Sequence, residues 1–114
     1  EISPCGLTKA VEVRDGSLRE FDFHFSEVGI DPIEIEVLKG GDSSKNLEIA
    51  NHVLSGGPGP YLDMVALNAG VSLHVAEIAE TPRQGYEQAK EVLASGRVGE
   101  YAASLRAKEA VAVH

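Results

Sequence analysis

The chain is poor in cysteine, aromatic residues and basic residues, and each shortage excludes a class of protein. Its single cysteine, Cys5, cannot form an internal disulfide, so a disulfide-stapled secreted fold is excluded. With no Trp and an aromatic content of 5%, the core must be mostly aliphatic. The 10 Lys and Arg against 18 Asp and Glu give a net charge of -8, which argues against nucleic acid or an anionic membrane surface as the main partner.

Long apolar runs and a targeting segment are also missing. The most apolar stretch, residues 61–79, contains Asp63 and Glu77, and charges at bilayer depth cost too much for a membrane span. The first residues have neither the basic start nor the apolar run of a signal peptide. We therefore expect a cytoplasmic protein without membrane or nucleic-acid partners. The chain does not begin with Met, and an unusual native start, a processed product and a cut inside a longer protein all stay open.

A hydrophobic content of 43% and a charged content of 25% over 114 residues indicate one globular domain at most. The order of the patterns predicts an N-terminal β-hairpin followed by about four α-helices. A lone hairpin is marginally stable in water, so its apolar face needs a partner. This is a physical indication that the chain belongs to something larger.

Residues 9–25 are predicted to form the hairpin, with Asp15 and Gly16 in its turn. A two-residue loop would put the valines of one arm and the phenylalanines of the other on opposite faces. We expect instead a loop of three or five residues, with Gly16 left-handed in a bulge, which brings all of them to one face. The core-facing set is then Val11, Val13, Phe21, Phe23 and Phe25, and the outer set is Glu12, Arg14, Glu20 and Asp22.

Residues 26–41 are predicted to be a connector, in which alternating apolar and acidic residues between 33 and 37 fit either a short strand or a helical turn. Four helices should follow. Their expected bounds are Asp42 or Ser43 to about Leu54, Pro60 or Tyr61 to about Ala79, Pro82 to about Ala94, and Val98 to about Ala110. The second is apolar nearly all round, which predicts burial on most sides. The third begins with a capping box formed by Thr81 and Gln84.

Two glycine-rich segments, 39–44 and 56–60, are similar to anion-binding loops only in composition. The first lacks the spacing of both phosphate-loop motifs, and Asp42 would oppose a phosphate. The second contains two prolines, which remove donors that such a loop needs. We interpret the first as a capped helix start and the second as a helix connector.

The remaining polar residues form no recognisable catalytic set. The four histidines are His24, His52, His74 and His114. None has zinc-type spacing to another histidine or to Cys5, and no nucleophilic triad is evident. His74, in the second helix, is interpreted as a hydrogen-bonded core residue. Asn68 in the same helix needs partners for its amide, and we predict that it bonds the backbone of a loop.

Short motifs with a fixed order run along nearly the whole chain. They are Glu1-Ile2-Ser3-Pro4 with Gly6 and Thr8, Val11 to Gly16, Val28-Gly29-Ile30, Gly40-Gly41-Asp42 with Asn46, Val53-Leu54 with Gly56, Asp63 with Leu67-Asn68-Ala69, and the later Gly85, Ala89 and Ser95-Gly96. Their order and spacing make the chain resemble the C-terminal third of the anthranilate phosphoribosyltransferases.

The resemblance implies that residues 1–114 are the C-terminal portion of the α/β domain of a magnesium-dependent transferase, an α+β fragment of that domain. Members of the family move phosphoribosyl from phosphoribosyl pyrophosphate to the amine of anthranilate in tryptophan biosynthesis, and they release pyrophosphate. In the family an adjacent Asp-Glu pair holds the metal. Glu1 matches the Glu of that pair and is the one expected metal ligand, whereas no catalytic or cofactor-binding residue is expected in this chain.

The family's helical N-terminal domain and substrate loops lie upstream of the matched residues. The resemblance therefore implies that the chain alone is inactive and that magnesium belongs to the parent enzyme. The parent is expected to bind phosphoribosyl pyrophosphate and anthranilate as a homodimer, whereas the fragment is expected to self-associate. Residues 40–42 are similar to the family's diphosphate loop in composition, but by position they match a different glycine pair and are not assigned that role.

Two alternatives stay open. The chain is compatible with a stand-alone, non-enzymatic binding module that uses the hairpin edge or an apolar helix face. It is also compatible with the related nucleoside phosphorylases, which share the broad architecture. Asp63 and the Leu67-Asn68-Ala69 motif favour the transferase over the phosphorylases.

Overall fold

A computed structural model describes residues 1–112 and confirms a hairpin followed by four helices. The elements are β1 (Leu7–Arg14), β2 (Ser17–His24), two short 3-10 turns (Phe25–Val28 and Ile35–Leu38), α1 (Ser43–Leu54), α2 (Pro60–Val75), α3 (Pro82–Ala94) and α4 (Arg97–Ala112). Within the described residues, no helix is long and apolar enough to cross a membrane.

The hairpin turn contains two residues, so the predicted loop of three or five residues with a bulge is wrong. Arg14 pairs with Ser17, which leaves only Asp15 and Gly16 between the strands. Both residues have positive φ, 50° and 78°. An Asp-Gly pair in this conformation matches the right-handed twist of the strands, so no extra residue is needed.

This register divides the predicted core-facing set between the two faces of the hairpin. Phe21 and Phe23 pair with Ala10 and Thr8 on the inner face, and Phe23 is 4% exposed. Val11 and Val13 point the other way and are 58% and 72% exposed. Phe25 is buried, but it has left the strand and begins the first 3-10 turn. The predicted outer set is divided in the same way: Glu12 and Arg14 share the inner face, and Glu20 and Asp22 share the face of the valines.

The connector and α1 follow the prediction closely. Residues Ile35–Leu38 form a helical turn, which decides between the two alternatives for this segment. Asp42 is the N-cap of α1, and its carboxylate accepts a hydrogen bond from the Lys45 backbone N–H at 2.8 Å. The helix ends at Leu54, as expected, and its buried side faces the core through Val53.

Helix α2 ends at Val75, four residues before the predicted end near Ala79. Glu77 adopts a left-handed conformation with φ 61°. The Glu77 and Ile78 N–H groups donate to the carbonyls of His74 and Leu73 at 3.0 and 2.9 Å. This is the Schellman arrangement that ends a helix, built here without the usual glycine.

Helix α2 is also less enclosed than its apolar sequence predicts. Its buried residues are Leu62, Ala66, Leu67 and Gly70, all facing the core. Val65 and Val75 are 38% and 76% exposed, so the prediction of burial on most sides is wrong for this chain. The packing that an all-round apolar helix needs is absent on one side.

Helices α2 and α3 form the centre of the structure and meet at two glycines. The core cluster consists of Phe23, Phe25, Val28, Ile30, Val53, Leu62, Ala66, Leu67, Tyr86, Ala89 and Leu93. A Cβ atom on Gly70 would lie 2.6 Å from the Gly85 carbonyl carbon, and one on Gly85 would lie 2.8 Å from the Gly70 carbonyl carbon. The backbones of the two helices are therefore in direct contact.

The last two helices begin close to the predicted residues. The Thr81 hydroxyl accepts from the Gln84 N–H at 3.1 Å, as expected of the cap. The Gln84 side chain accepts from the N–H of Glu80, one residue before the cap, at 3.1 Å and not from the N–H of Thr81, so only one half of the predicted capping box is formed. Helix α4 runs to Ala112, and two of its large apolar residues, Tyr101 and Leu105, are 64% and 45% exposed.

Candidate functional site

The N-terminal segment, residues 1–6, carries Glu1, the only residue for which the sequence predicts a metal-binding role. The segment precedes β1 and has no regular secondary structure. Side chains from other elements bond its backbone, and the first of these is Asn68 of α2. The segment therefore has a defined place against the core despite its irregular backbone.

Asn68 binds both backbone polar groups of Ile2. Its Oδ1 atom accepts a hydrogen bond from the Ile2 N–H at 2.8 Å, and its Nδ2 atom donates to the Ile2 carbonyl at 3.0 Å. The second Nδ2 hydrogen bonds the Met64 carbonyl, one turn back on α2, at 3.1 Å. The prediction that the Asn68 amide bonds the backbone of a loop is confirmed.

Two further hydrogen bonds hold the rest of the segment. The Ser3 N–H donates to the Thr8 hydroxyl at 2.9 Å, and the Cys5 N–H donates to the Ser3 hydroxyl at 3.1 Å. Pro4 is buried, and the Ile2 side chain packs against the core cluster. Glu1 itself is exposed, at the outer end of this fixed stretch.

Glu1 fits one position in an open magnesium site and does not make a closed site. Within the described residues there is no group of three or more His, Cys, Asp and Glu side chains that could hold a metal. Magnesium is usually held by one or two carboxylates together with substrate phosphate and water. An exposed carboxylate on an anchored backbone is compatible with that arrangement, and the further ligands would have to come from substrate, water and other protein residues.

The glycine-rich segment before α1 is a capped helix start, as interpreted from the sequence. Asn46 bends back to Gly41, accepting from its N–H at 2.9 Å and donating to its carbonyl at 3.1 Å. The backbone donor that an anion would need is therefore already bonded. The segment after α1 is a connector, in which the His52 ring nitrogen Nε2 contacts the Pro58 carbonyl at 3.1 Å.

The other described histidines also serve the local structure. His24 caps the first 3-10 turn, with its Nδ1 atom accepting from the Ser26 N–H at 3.3 Å. His74 is half-buried and not part of the core, so that part of its interpretation is wrong, but its Nδ1 atom lies 3.3 Å from the Ala79 carbonyl, as expected of a hydrogen-bonded residue. His114 lies outside the described residues.

A charged cluster between α2 and α3 was not predicted as a unit. Asp63 Oδ1 lies 2.9 Å from Lys90 Nζ and accepts from the Tyr86 hydroxyl at 3.1 Å. The hydrogen bond to Asp63 raises the pKa of Lys90, and burial raises the pKa of Tyr86. The spacing of Tyr86 and Lys90 puts them on one face of α3, but the sequence does not show which residue of α2 faces them.

Two apolar surfaces are open to solvent. An open groove of about 430 Å³ lies beside α1 and α2, with Ile49, Ala50, Val53, Tyr61, Met64 and Val65 among its lining residues. The outer face of the hairpin carries Leu7, Val11, Val13 and Leu18, which are 57–73% exposed. Isolated exposed hydrophobic residues are ordinary, but contiguous sets of this kind mark contact surfaces.

Comparison with known proteins gives one consistent result. Residues 1–98 match the family described as "Glycosyl transferase family, a/b domain". The chain is 39% identical over 114 residues to the anthranilate phosphoribosyltransferase of Exiguobacterium sibiricum, covering 97% of this chain and 34% of that protein. It is 40% identical over 96 residues to the enzyme of that name from Desulfatibacillum aliphaticivorans, covering 84% of this chain and 28% of the relative.

The fold agrees with that likeness. The crystal structure of anthranilate phosphoribosyltransferase from Thermus thermophilus matches with a TM-score of 0.75 and 36% sequence identity. The match covers 89% of this chain and 31% of that structure. The chain therefore spans about a third of the length of the proteins that it matches.

Proposed function

Because the chain belongs to the glycosyl transferase family whose a/b domain it matches, we propose that it forms the C-terminal part of that domain in an anthranilate phosphoribosyltransferase. The observation that carries the proposal is the combination of 39% identity over 97% of the chain with the same fold at a TM-score of 0.75. The complete protein would work in tryptophan biosynthesis in the cytoplasm, as a homodimer.

The proposed reaction joins the amine nitrogen of anthranilate to the ribose carbon of phosphoribosyl pyrophosphate. The bond from that carbon to the pyrophosphate oxygen breaks, pyrophosphate leaves with the bonding electrons, and the amine nitrogen loses one proton. Magnesium, when bound with the diphosphate, would supply charge neutralisation for the leaving group. In this chain, Glu1 would supply one carboxylate ligand to the metal, and the fixed backbone of residues 2–5 would hold that carboxylate in place.

The open apolar surfaces support the proposal that residues 1–114 are an incomplete domain. The groove beside α2 and the outer face of the hairpin would pack against the remaining part of the α/β domain in the complete protein. A chain without that part would cover these surfaces by self-association, because exposed contiguous apolar area favours association in water. This proposal also explains why an all-round apolar α2 is open on one side.

The proposed function is tested by mass and by turnover. We expect the native protein to have an intact mass about three times the 12.1 kDa of this chain and to form phosphoribosylanthranilate with magnesium. The purified chain of 114 residues should show no turnover, since positioning of both substrates supplies most of such catalysis. A native mass equal to that of this chain, with specific binding of a partner, would instead support the interaction module.

Glu1 has its own test in the full-length protein. Glu1→Gln keeps the shape and one oxygen but removes the charge, so we expect a higher magnesium requirement and poorer use of phosphoribosyl pyrophosphate. Thermal stability should change little, because Glu1 is exposed. Glu100→Gln, at an exposed position on α4, is the matched control. An unchanged magnesium titration in Glu1→Gln would remove Glu1 from the site.

A further inference from the structure

The structure points to a second residue of the proposed metal site, one that does not touch the metal. We propose that Asn68 is a positioning residue, whose side-chain amide fixes the backbone beside Glu1 and thereby fixes the place of the Glu1 carboxylate. The inference rests on the proposed function, because it assumes that Glu1 binds the metal. Asn68 and Ile2, the residue next to Glu1, are 66 positions apart in sequence and adjacent in the fold.

The contact between Asn68 and Ile2 consists of two hydrogen bonds made by one side-chain amide. One planar amide accepts from the Ile2 N–H at 2.8 Å and donates to the Ile2 carbonyl at 3.0 Å. The remaining amide hydrogen bonds the Met64 carbonyl of α2 at 3.1 Å, which fixes the orientation of the amide on its helix. The amide hydrogens are both used, so rotation of the side chain would break all three hydrogen bonds.

These hydrogen bonds act on the residue next to Glu1, ahead of the other contacts that hold the segment. Residues 1–6 belong to neither strand, and Ile2 is the residue next to Glu1. Without Asn68, the Ile2 backbone would lose both partners, and the first anchored backbone group would be the Ser3 N–H bonded to Thr8. The Glu1 carboxylate would then be carried by a less ordered backbone.

A moving carboxylate binds a metal more weakly than a fixed one, because binding must then order the backbone as well as the side chain. Residues that orient metal ligands typically change metal affinity by 10–100-fold when they are replaced. We expect Asn68→Ala to weaken binding by roughly tenfold, at the low end of that range because Asn68 acts through the backbone.

The experiment measures Mn²⁺ binding in the presence of pyrophosphate by electron paramagnetic resonance of free Mn²⁺, in the full-length protein. The variants are Glu1→Gln, Asn68→Ala, their combination, and Ser72→Ala as the matched control. Ser72 lies one turn further along α2 and donates its hydroxyl to the Asn68 backbone carbonyl, not to the side-chain amide that bonds Ile2. A second measurement follows amide hydrogen exchange of Ile2 in each protein.

The inference predicts that Asn68→Ala weakens Mn²⁺ binding roughly tenfold and speeds exchange of the Ile2 amide, whereas Ser72→Ala changes neither. The double variant should bind no more weakly than Glu1→Gln alone, because Asn68 acts only through Glu1. If Asn68→Ala does not fold, Asn68→Asp replaces it. That variant keeps the acceptor for the Ile2 N–H and loses the donors to the Ile2 and Met64 carbonyls, so it should weaken binding by a smaller factor than Asn68→Ala.

Failure of this inference differs from failure of the proposed function. If Glu1→Gln weakens binding but neither Asn68 variant does, Glu1 remains a ligand and the positioning role is refuted. Additive losses in the double variant would also refute it, since Asn68 would then act by another route. If Glu1→Gln leaves Mn²⁺ binding unchanged, the metal role of Glu1 is wrong, and the inference about Asn68 is refuted with it.

Discussion

Replacing Gly85 with Ala tests the backbone contact between α2 and α3, on which the core depends. A Cβ atom at this position would lie 2.8 Å from the Gly70 carbonyl carbon and 3.0 Å from its Cα, whereas ordinary contact begins at 3.4 Å. These are backbone atoms, so no side chain can rotate away to make room. The two helices would have to separate or slide, which would loosen the surrounding core.

The expected cost follows from two opposing effects. Overpacking of a close-packed core typically costs about 1–3 kcal/mol, and a clash with backbone belongs at the upper end of that range. Ala is favoured over Gly in a helix by about 1 kcal/mol, which offsets part of the loss. We therefore expect Gly85→Ala to lower the free energy of unfolding by about 2 kcal/mol, or the melting temperature by about 8 °C for a chain of this size.

Thermal unfolding followed by circular dichroism measures the effect. Ala69→Gly, at an exposed position of α2, isolates the propensity contribution and should cost about 1 kcal/mol. Gly70→Ala should resemble Gly85→Ala, and the double variant should lose less than the two single losses combined, because the helices separate only once. A Gly85→Ala chain as stable as the original, or more stable, would refute direct backbone contact at this crossing.

Three further outcomes follow from named contacts. In the folded chain the hydrogen bond to Asp63 raises the pKa of Lys90, and burial raises the pKa of Tyr86. The free energy of unfolding should therefore keep this contribution below about pH 10 and lose it as the pH rises through the folded-state pKa values. Urea titrations between pH 8 and 11 measure the effect, and a free energy of unfolding that does not change with pH would contradict it. Asp42→Ala should cost about 1 kcal/mol by removing the N-cap of α1, measured by urea unfolding, and an unchanged midpoint would show that the cap is not needed. Gly16→Ala should destabilise the chain by about 1 kcal/mol because φ is 78° there, as measured by thermal unfolding; equal stability would contradict the two-residue turn.

Much of the fold was predictable because it is encoded locally. The starts of α1 and α3 follow from single capping residues, Asp42 and Thr81, whose side chains bond the first turn of the same helix. The hairpin turn was predicted in place but not in length. The incorrect assumption was that all apolar residues share one core face, whereas Val11 and Val13 lie on a surface that this chain does not cover.

Features without a local sequence signal were not predictable in the same way. Glu77 ends α2 in a left-handed conformation, and the sequence has no glycine there to signal it. The Asp63–Lys90 pair requires the alignment of two helices, which no local pattern contains. For Asn68, the need for a hydrogen-bond partner was predictable from its place on an apolar helix, but the identity of that partner, Ile2, was not.

The two asparagine contacts show how this chain fixes irregular backbone without a large sheet. Asn46 bonds the N–H and carbonyl of Gly41, and Asn68 bonds the N–H and carbonyl of Ile2. A primary amide has one acceptor and two donors in a plane. It can therefore bond both the backbone N–H and the backbone carbonyl of one residue, as a neighbouring β-strand does. Aspartate lacks the donors and glutamine adds a rotatable bond, which raises the entropy cost of the same contact. Asparagine is therefore suited to both places where a non-regular segment must be held rigidly against a helix.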